Sequence, residues 1–135
     1  NRAFYSPGGD FVLMPHRHQF ESSEAYHQTL AHEMIHWSES RIGFDRAKED
    51  NAYALGELIA ELGASFLLAE LGLPASDNIE NCKSYLDHWL KAMKGDTKFI
   101  FRAAATASKA VCFLLSRFRL PEVQPVPDKA EVGTS

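Results

Sequence analysis

The chain has 135 residues, enough for one domain with a real hydrophobic core, and its 45% apolar and 24% charged residues are ordinary for a soluble globular protein. A formal net charge of -4 and a pI near 5.8 supply no basic stripe for nucleic acid. No apolar run approaches the roughly eighteen residues of a membrane span. Cys82 and Cys112 form no CxxC pair, which argues against a disulfide framework or a cysteine zinc site and for reduced, buried thiols in a cytosolic setting. The sequence opens at Asn1 with no methionine, charged leader or apolar leader segment, so it reads as a piece of a longer protein whose flanking domains are missing.

In chain order, Arg2–Ser6 and Phe11–Met14 read as two short strands about the turn Pro7-Gly8-Gly9-Asp10, stopped by Pro15. The spacing predicts a first helix from about Ser22 to Ser40, with Ser22 or Ser23 as N-cap and Glu24 in the first turn. A polar connector through Gly43 leads to a second helix from about Glu49 to Leu71, ended by Gly72 and Pro74. Asp77-x-x-Glu80 resembles a capping box opening a third helix that closes near Gly95, and a fourth runs from about Thr97 to Arg119. Pro121, Pro125 and Pro127 then break regular structure, giving a folded domain over 1–120 and an irregular tail over 121–135.

His32-Glu33-Met34-Ile35-His36 is an HExxH sequence inside the first predicted helix. Residues four apart on a helix lie about 40° apart around its axis and one turn along it, so both imidazoles can meet one ion. Glu33 lies about 100° from His32, poorly placed as a ligand but able to reach a water beside the metal as a general base.

On the second helix, Tyr53, Glu57, Ala60, Glu61, Ala64 and Leu68 form one stripe, while Leu55, Leu58, Ile59, Leu62, Phe66, Ala69 and Leu73 make a second apolar face. A helix apolar nearly all round belongs at the centre, and Glu57 and Glu61 have no basic partner within it. A buried unpaired carboxylate costs several kcal/mol or neutralises itself, so something cationic should face them. Zn²⁺ is the economical choice: Glu57 as third ligand, and Glu61 accepting a hydrogen bond from the outer N–H of a ligand histidine. Ala60 and Ala64 allow the helices to approach closely.

HExxH followed by ExxxE resembles the gluzincin arrangement. More closely, Ala3–Pro7, Met14-Pro15, Tyr26, Thr29-Leu30, His32–Ser38, Tyr53-Ala54, Glu57–Gly63, Ala69–Gly72, Tyr85, Trp89–Lys91 and Ala103–Ala110 resemble the metallopeptidase domain of ArdC-type antirestriction proteins and TraC-type plasmid primases. Two departures stand out: Glu39 where that family commonly has Gly, and Gly56 where it commonly has a Glu before the ligand. The resemblance implies an α+β zincin-like fold, mainly helical, with about four helices and a small N-terminal β-hairpin. It implies metal ligands His32, His36 and Glu57, Glu61 behind them, Glu33 as catalytic base, and hydrolysis of a protein or peptide substrate. It also implies a bacterial, plasmid- or phage-associated cytoplasmic setting, in which a domain that binds single-stranded DNA precedes this one.

Tyr53 is the first candidate to stabilise an oxyanion, with a buried, satisfied phenol as the plainer reading; Tyr26 and His27 are further candidates. Phe11–Met14 could be an edge that pairs with an extended substrate. His16 and His18 alternate as a metal pair would but lack a third ligand nearby, and His88 reads as packed or exposed. Phe113, Leu114 and Phe118 read as core. A different class of function also suits the pattern: a non-catalytic metal-binding interaction module serving antirestriction or a DNA-associated function.

Overall fold

The computed structural model describes residues 2–74, 84, 87–89, 91 and 96–118. Strands β1 (Phe4–Ser6) and β2 (Phe11–Leu13) pair antiparallel, with Phe4 opposite Leu13, Tyr5 opposite Val12 and Ser6 opposite Phe11. The left-handed residue of their turn is Asp10 (φ 56°), not either glycine, and its N–H bonds Ser6 O at 2.7 Å. Asparagine and aspartate tolerate that region better than most side chains.

Helix α1 (Ser23–Ser38) begins where Ser22 Oγ accepts the Ala25 N–H at 3.0 Å. It tightens into a 3₁₀ turn over Glu39–Ile42, ended by Gly43 at φ 83°. Another 3₁₀ turn, Arg46–Lys48, capped by Asp45, lies in the polar connector before the second helix. Helix α2 (Ala52–Leu71) starts three residues later than the composition suggests, because Asn51 is left-handed at φ 54°. It ends as expected at Gly72 (φ 71°), with Leu73 N–H returning to Leu68 O. Helix α3 (Thr97–Phe118) opens on Asp96, whose carboxylate accepts the Lys98 N–H at 3.0 Å. Between them Ser84, Asp87–Trp89 and Lys91 are helical; the rest of the expected third helix, the 121–135 tail, Cys82 and the Phe118 side chain lie outside the description.

The centre of the molecule is α2, packed against α1 on one side and α3 on the other. Its buried Leu55, Leu58, Ile59, Ala60, Ala64, Leu67 and Leu68 meet Ala31 and Ile35 of α1 and Phe99, Ala103, Ala107, Ala110, Val111 and Leu114 of α3. By length and mean hydropathy α2 and α3 would each suffice to cross a membrane, a criterion the apolar-run reading missed. For α2 that apolarity is met by the helices on either side of it. Helices α1 and α2 approach closely at Gly63, where a Cβ would stand 2.7 Å from Ile35 Cδ1 and 2.9 Å from Cγ1. Gly63 thus joins Ala60 and Ala64 as the residues that bring the helices together. Ala69 and Cys112, expected inside, are exposed, whereas Leu114 is core as expected.

Candidate metal centre

Because α1 lies tightly on α2, the histidine pair of one faces the glutamates of the other. His32 and His36 are one turn apart, with ring centroids 4.8 Å apart and planes at 78°. Glu57 spans both: Oε1 lies 3.3 Å from His32 Nε2 and Oε2 lies 2.9 Å from His36 Nε2. One donor atom from each of the three residues lies within 4.8 Å of the others, the one such group among the described residues. An ion about 2.1 Å from tetrahedral nitrogen and oxygen donors needs those donors about 3.4 Å apart. The nitrogen–oxygen spacings, 3.3 and 2.9 Å to the two oxygens of Glu57, are at or somewhat under that, and two imidazoles with one carboxylate are a donor set suited to zinc or a neighbouring divalent metal. The residues fit the ion.

Each imidazole is also held from its outer nitrogen. His32 Nδ1 lies 2.9 Å from Glu61 Oε1, the partner expected one turn beyond Glu57. His36 Nδ1 lies 2.6 Å from Glu39 Oε2, a partner the sequence reading did not find. Glu39 in turn accepts Arg46 Nε at 2.8 Å and Nη2 at 3.0 Å. The signal available in the sequence was Glu39 three residues after His36, together with its status as a departure from the family pattern.

Burial disfavours a charged His32, but hydrogen bonds to Glu57 and Glu61 outweigh it and push the imidazole up to about 10. His36 is raised in the same way, burial being outweighed by Glu39 and Glu57. Burial works to raise the Glu57 and Glu39 carboxyls, yet the histidines hold Glu57 well below the usual carboxylate range, and His36 with Arg46 lowers Glu39. Without metal, the site is a set of charged pairs in which protons take the place of the ion.

The triad opens into a cleft of about 730 Å³ that Glu33, Tyr53, Arg46, Phe44 and the segment Arg2–Tyr5 also line. Glu33 is half-buried at its wall, on the metal-binding helix. Tyr53 is 67% exposed, with its ring edge-on to Trp89 at 6.1 Å, so the buried-phenol reading fails while its place beside the triad stands. Tyr26 and His27 do not line the cleft; Tyr26 packs on Phe20 and under Arg17. The strand at the cleft is β1, not the Phe11–Met14 strand. His16 and His18 stack on each other in an exposed turn, and His88 is exposed against Trp89.

A helix-borne histidine pair completed by a glutamate from the adjacent helix defines a zincin-like metal-binding domain. The chain belongs to the MPTase-PolyVal family of zincin-like metallopeptidases, whose sequence profile matches residues 1–106. It is 38% identical over 128 residues to a DNA primase TraC of Escherichia coli, covering 92% of this chain but 12% of that protein. An uncharacterized protein, y4eC, of Sinorhizobium fredii is 32% identical over 113 residues, which is 81% of this chain and 36% of the relative. Among solved structures, the Mn(II)-bound antirestriction protein ArdC from the R388 plasmid aligns with a TM-score of 0.64 at 40% identity, over 85% of this chain and 43% of that one. The metal-free form of ArdC aligns with a TM-score of 0.66 at 44% identity, over 84% and 42% of the two chains. The domain is therefore of a kind found in proteins of mobile elements.

Proposed function

We propose that this domain is a zinc-dependent metallopeptidase that hydrolyses a peptide bond in a protein or peptide substrate. The observation that carries the reading is the convergence of His32, His36 and Glu57 in a cleft whose wall includes Glu33. Three protein ligands among the described residues leave a coordination position open, as catalytic sites do and closed structural sites do not. A divalent ion held there supplies Lewis acidity, lowering the pKa of a water and polarising a carbonyl. Glu33 takes the proton from the attacking water and delivers it to the amine as the C–N bond breaks. Tyr53 offers its phenol to the developing oxyanion from the exposed side of the cleft. The edge of β1, unpaired among the described residues, offers backbone groups to an extended peptide.

Similarity to the Mn(II)-bound ArdC supports a divalent site and leaves manganese as the competitor to zinc. Similarity to ArdC of the R388 plasmid and to TraC supports a plasmid-associated bacterial setting. To this we add a cytoplasmic location and a preceding domain that binds single-stranded DNA. The acidic composition argues against direct nucleic-acid binding by this domain.

Glu33→Gln tests the reading. It should bind zinc like the parent and lose peptide hydrolysis, a fall of about 10²-fold or more. Tyr53→Phe should keep zinc and lower kcat with little change in KM. Undiminished turnover in Glu33→Gln refutes the general-base role. If the variant loses hydrolysis yet preserves antirestriction activity in cells, the non-catalytic interaction module is the better account.

A further inference from the structure

The two histidines are held from behind in unlike ways. Behind His32 stands Glu61, a neighbour of Glu57 on α2. Behind His36 stands Glu39, only 8% exposed, at the start of the 3₁₀ turn that ends α1. Both oxygens of that carboxylate are engaged by one guanidinium, from Arg46 in the next 3₁₀ turn. Arg46 Nη2 also lies 3.3 Å from His36 Nδ1. A protonated Nδ1 and a guanidinium are both donors, so the shared carboxylate is what lets them stand together.

The guanidinium has its place because α2 has no side chain at position 56. A Cβ on Gly56 would lie 2.7 Å from Arg46 Cζ and 3.1 Å from Nη1, inside contact distance. Gly56 is buried in the interior of a helix, where Ala would be the better helix former. Its φ is not in the left-handed region, so the backbone does not require glycine there. What requires it is the flat cation lying on it.

We propose that Glu39 and Arg46 are a positioning pair for His36, and that Gly56 is the aperture that admits Arg46 to it. Glu39 accepts the Nδ1–H, which fixes the tautomer with Nε2 free and aims that nitrogen toward Glu57. Arg46 fixes the plane of that carboxylate through two parallel hydrogen bonds, a geometry lysine cannot reproduce. The proposal rests on the reading that His32, His36 and Glu57 hold a divalent ion.

The test uses the full chain and Co²⁺ as probe, reading affinity by competition with a chelator and coordination by the visible spectrum, with far-UV circular dichroism to verify the fold. Glu39→Gln should bind Co²⁺ about 10- to 100-fold more weakly with an altered spectrum. Gly56→Ala keeps every carboxylate and imidazole and favours the helix, so it should fold; it should weaken binding about 3- to 10-fold by displacing the guanidinium. Arg46→Lys should match it, and the double variant should lose no more than the greater of the two, because both act through one group. Parent-like affinity and spectrum in both Glu39→Gln and Gly56→Ala overturn the positioning role while leaving the metal reading intact. A parent chain that binds no Co²⁺, Zn²⁺ or Mn²⁺ overturns both.

Discussion

Gly63→Ala puts one methyl group where α1 and α2 touch. The new Cβ would stand 2.7, 2.9 and 3.3 Å from Ile35 Cδ1, Cγ1 and Cγ2, whereas carbon atoms pack best at about 3.5–4.0 Å. Ile35 has no exposed surface, so it has little room to turn aside, and the helices must part by about 1 Å. Overpacking of this kind costs about 1–3 kcal/mol, and the better helix propensity of Ala returns about 1 kcal/mol. The net destabilisation is about 1 kcal/mol, a fall of roughly 3–6 °C in melting temperature for a chain of this size. The same movement spreads the metal donors, because His32 and His36 flank Ile35 on one helix while Glu57 and Glu61 precede Gly63 on the other. Zinc affinity should therefore fall about tenfold or more, since ligation tolerates only a few tenths of an ångström. Calorimetric melting of the metal-free chain and zinc titration against a competing chelator measure the two effects. In an Ile35→Val background, which lacks Cδ1, part of both losses should return. If Gly63→Ala melts at or above the parent temperature and binds zinc equally well, helix approach does not set the geometry of the site.

The proton and metal states predict opposite pH dependences. In metal-free protein the raised His32 contributes stability that is fully present below its unfolded value of about 6.5 and is lost as pH rises toward about 10. The depressed Glu57 contributes stability that is present above about 4.5 and is lost as pH falls through its lower folded value. Zinc needs both imidazoles deprotonated, so the gap in melting temperature between loaded and metal-free protein should widen from pH 6.5 upward; a constant gap would count against proton–metal competition. Glu57→Ala should abolish tight zinc binding and Glu61→Ala should weaken it about 10- to 100-fold, as measured by titration calorimetry, and equal effects would erase the distinction between ligand and support.

The parts of the fold that the sequence made plain are those governed by local periodicity. HExxH places itself on a helix, apolar residues nearly all round mark α2 as central, and Gly72 ends it. The connector between α1 and α2 was opaque for the opposite reason. Its two 3₁₀ turns are tied to one another by Glu39 and Arg46, seven residues apart, and to α2 by the space over Gly56. Composition shows only a polar stretch there. Positions 39 and 56 were each visible as unusual, but only packing reveals that both meet one guanidinium, that of Arg46. Tyr53 shows another limit: helical phase put it on the Glu57 stripe, yet at the first turn of α2 that stripe has already left the core.

The hairpin beside the cleft has strands of three residues, too short to be stable by themselves. Its turn is fastened at Asp10, which receives Tyr5 Oη at 2.8 Å and Arg41 Nη2 at 2.6 Å, while Arg41 lies 3.9 Å over the Trp37 ring and donates to Trp37 O. The cleft wall is thus anchored at its far end, on the exposed side of the metal-bearing helix. Under the proposed function, breadth of admission and chemical competence reside in separate residues. On that reading, substitutions at Asp10 or Arg41 should retune which chains enter while leaving the metal affinity of His32, His36 and Glu57 unchanged.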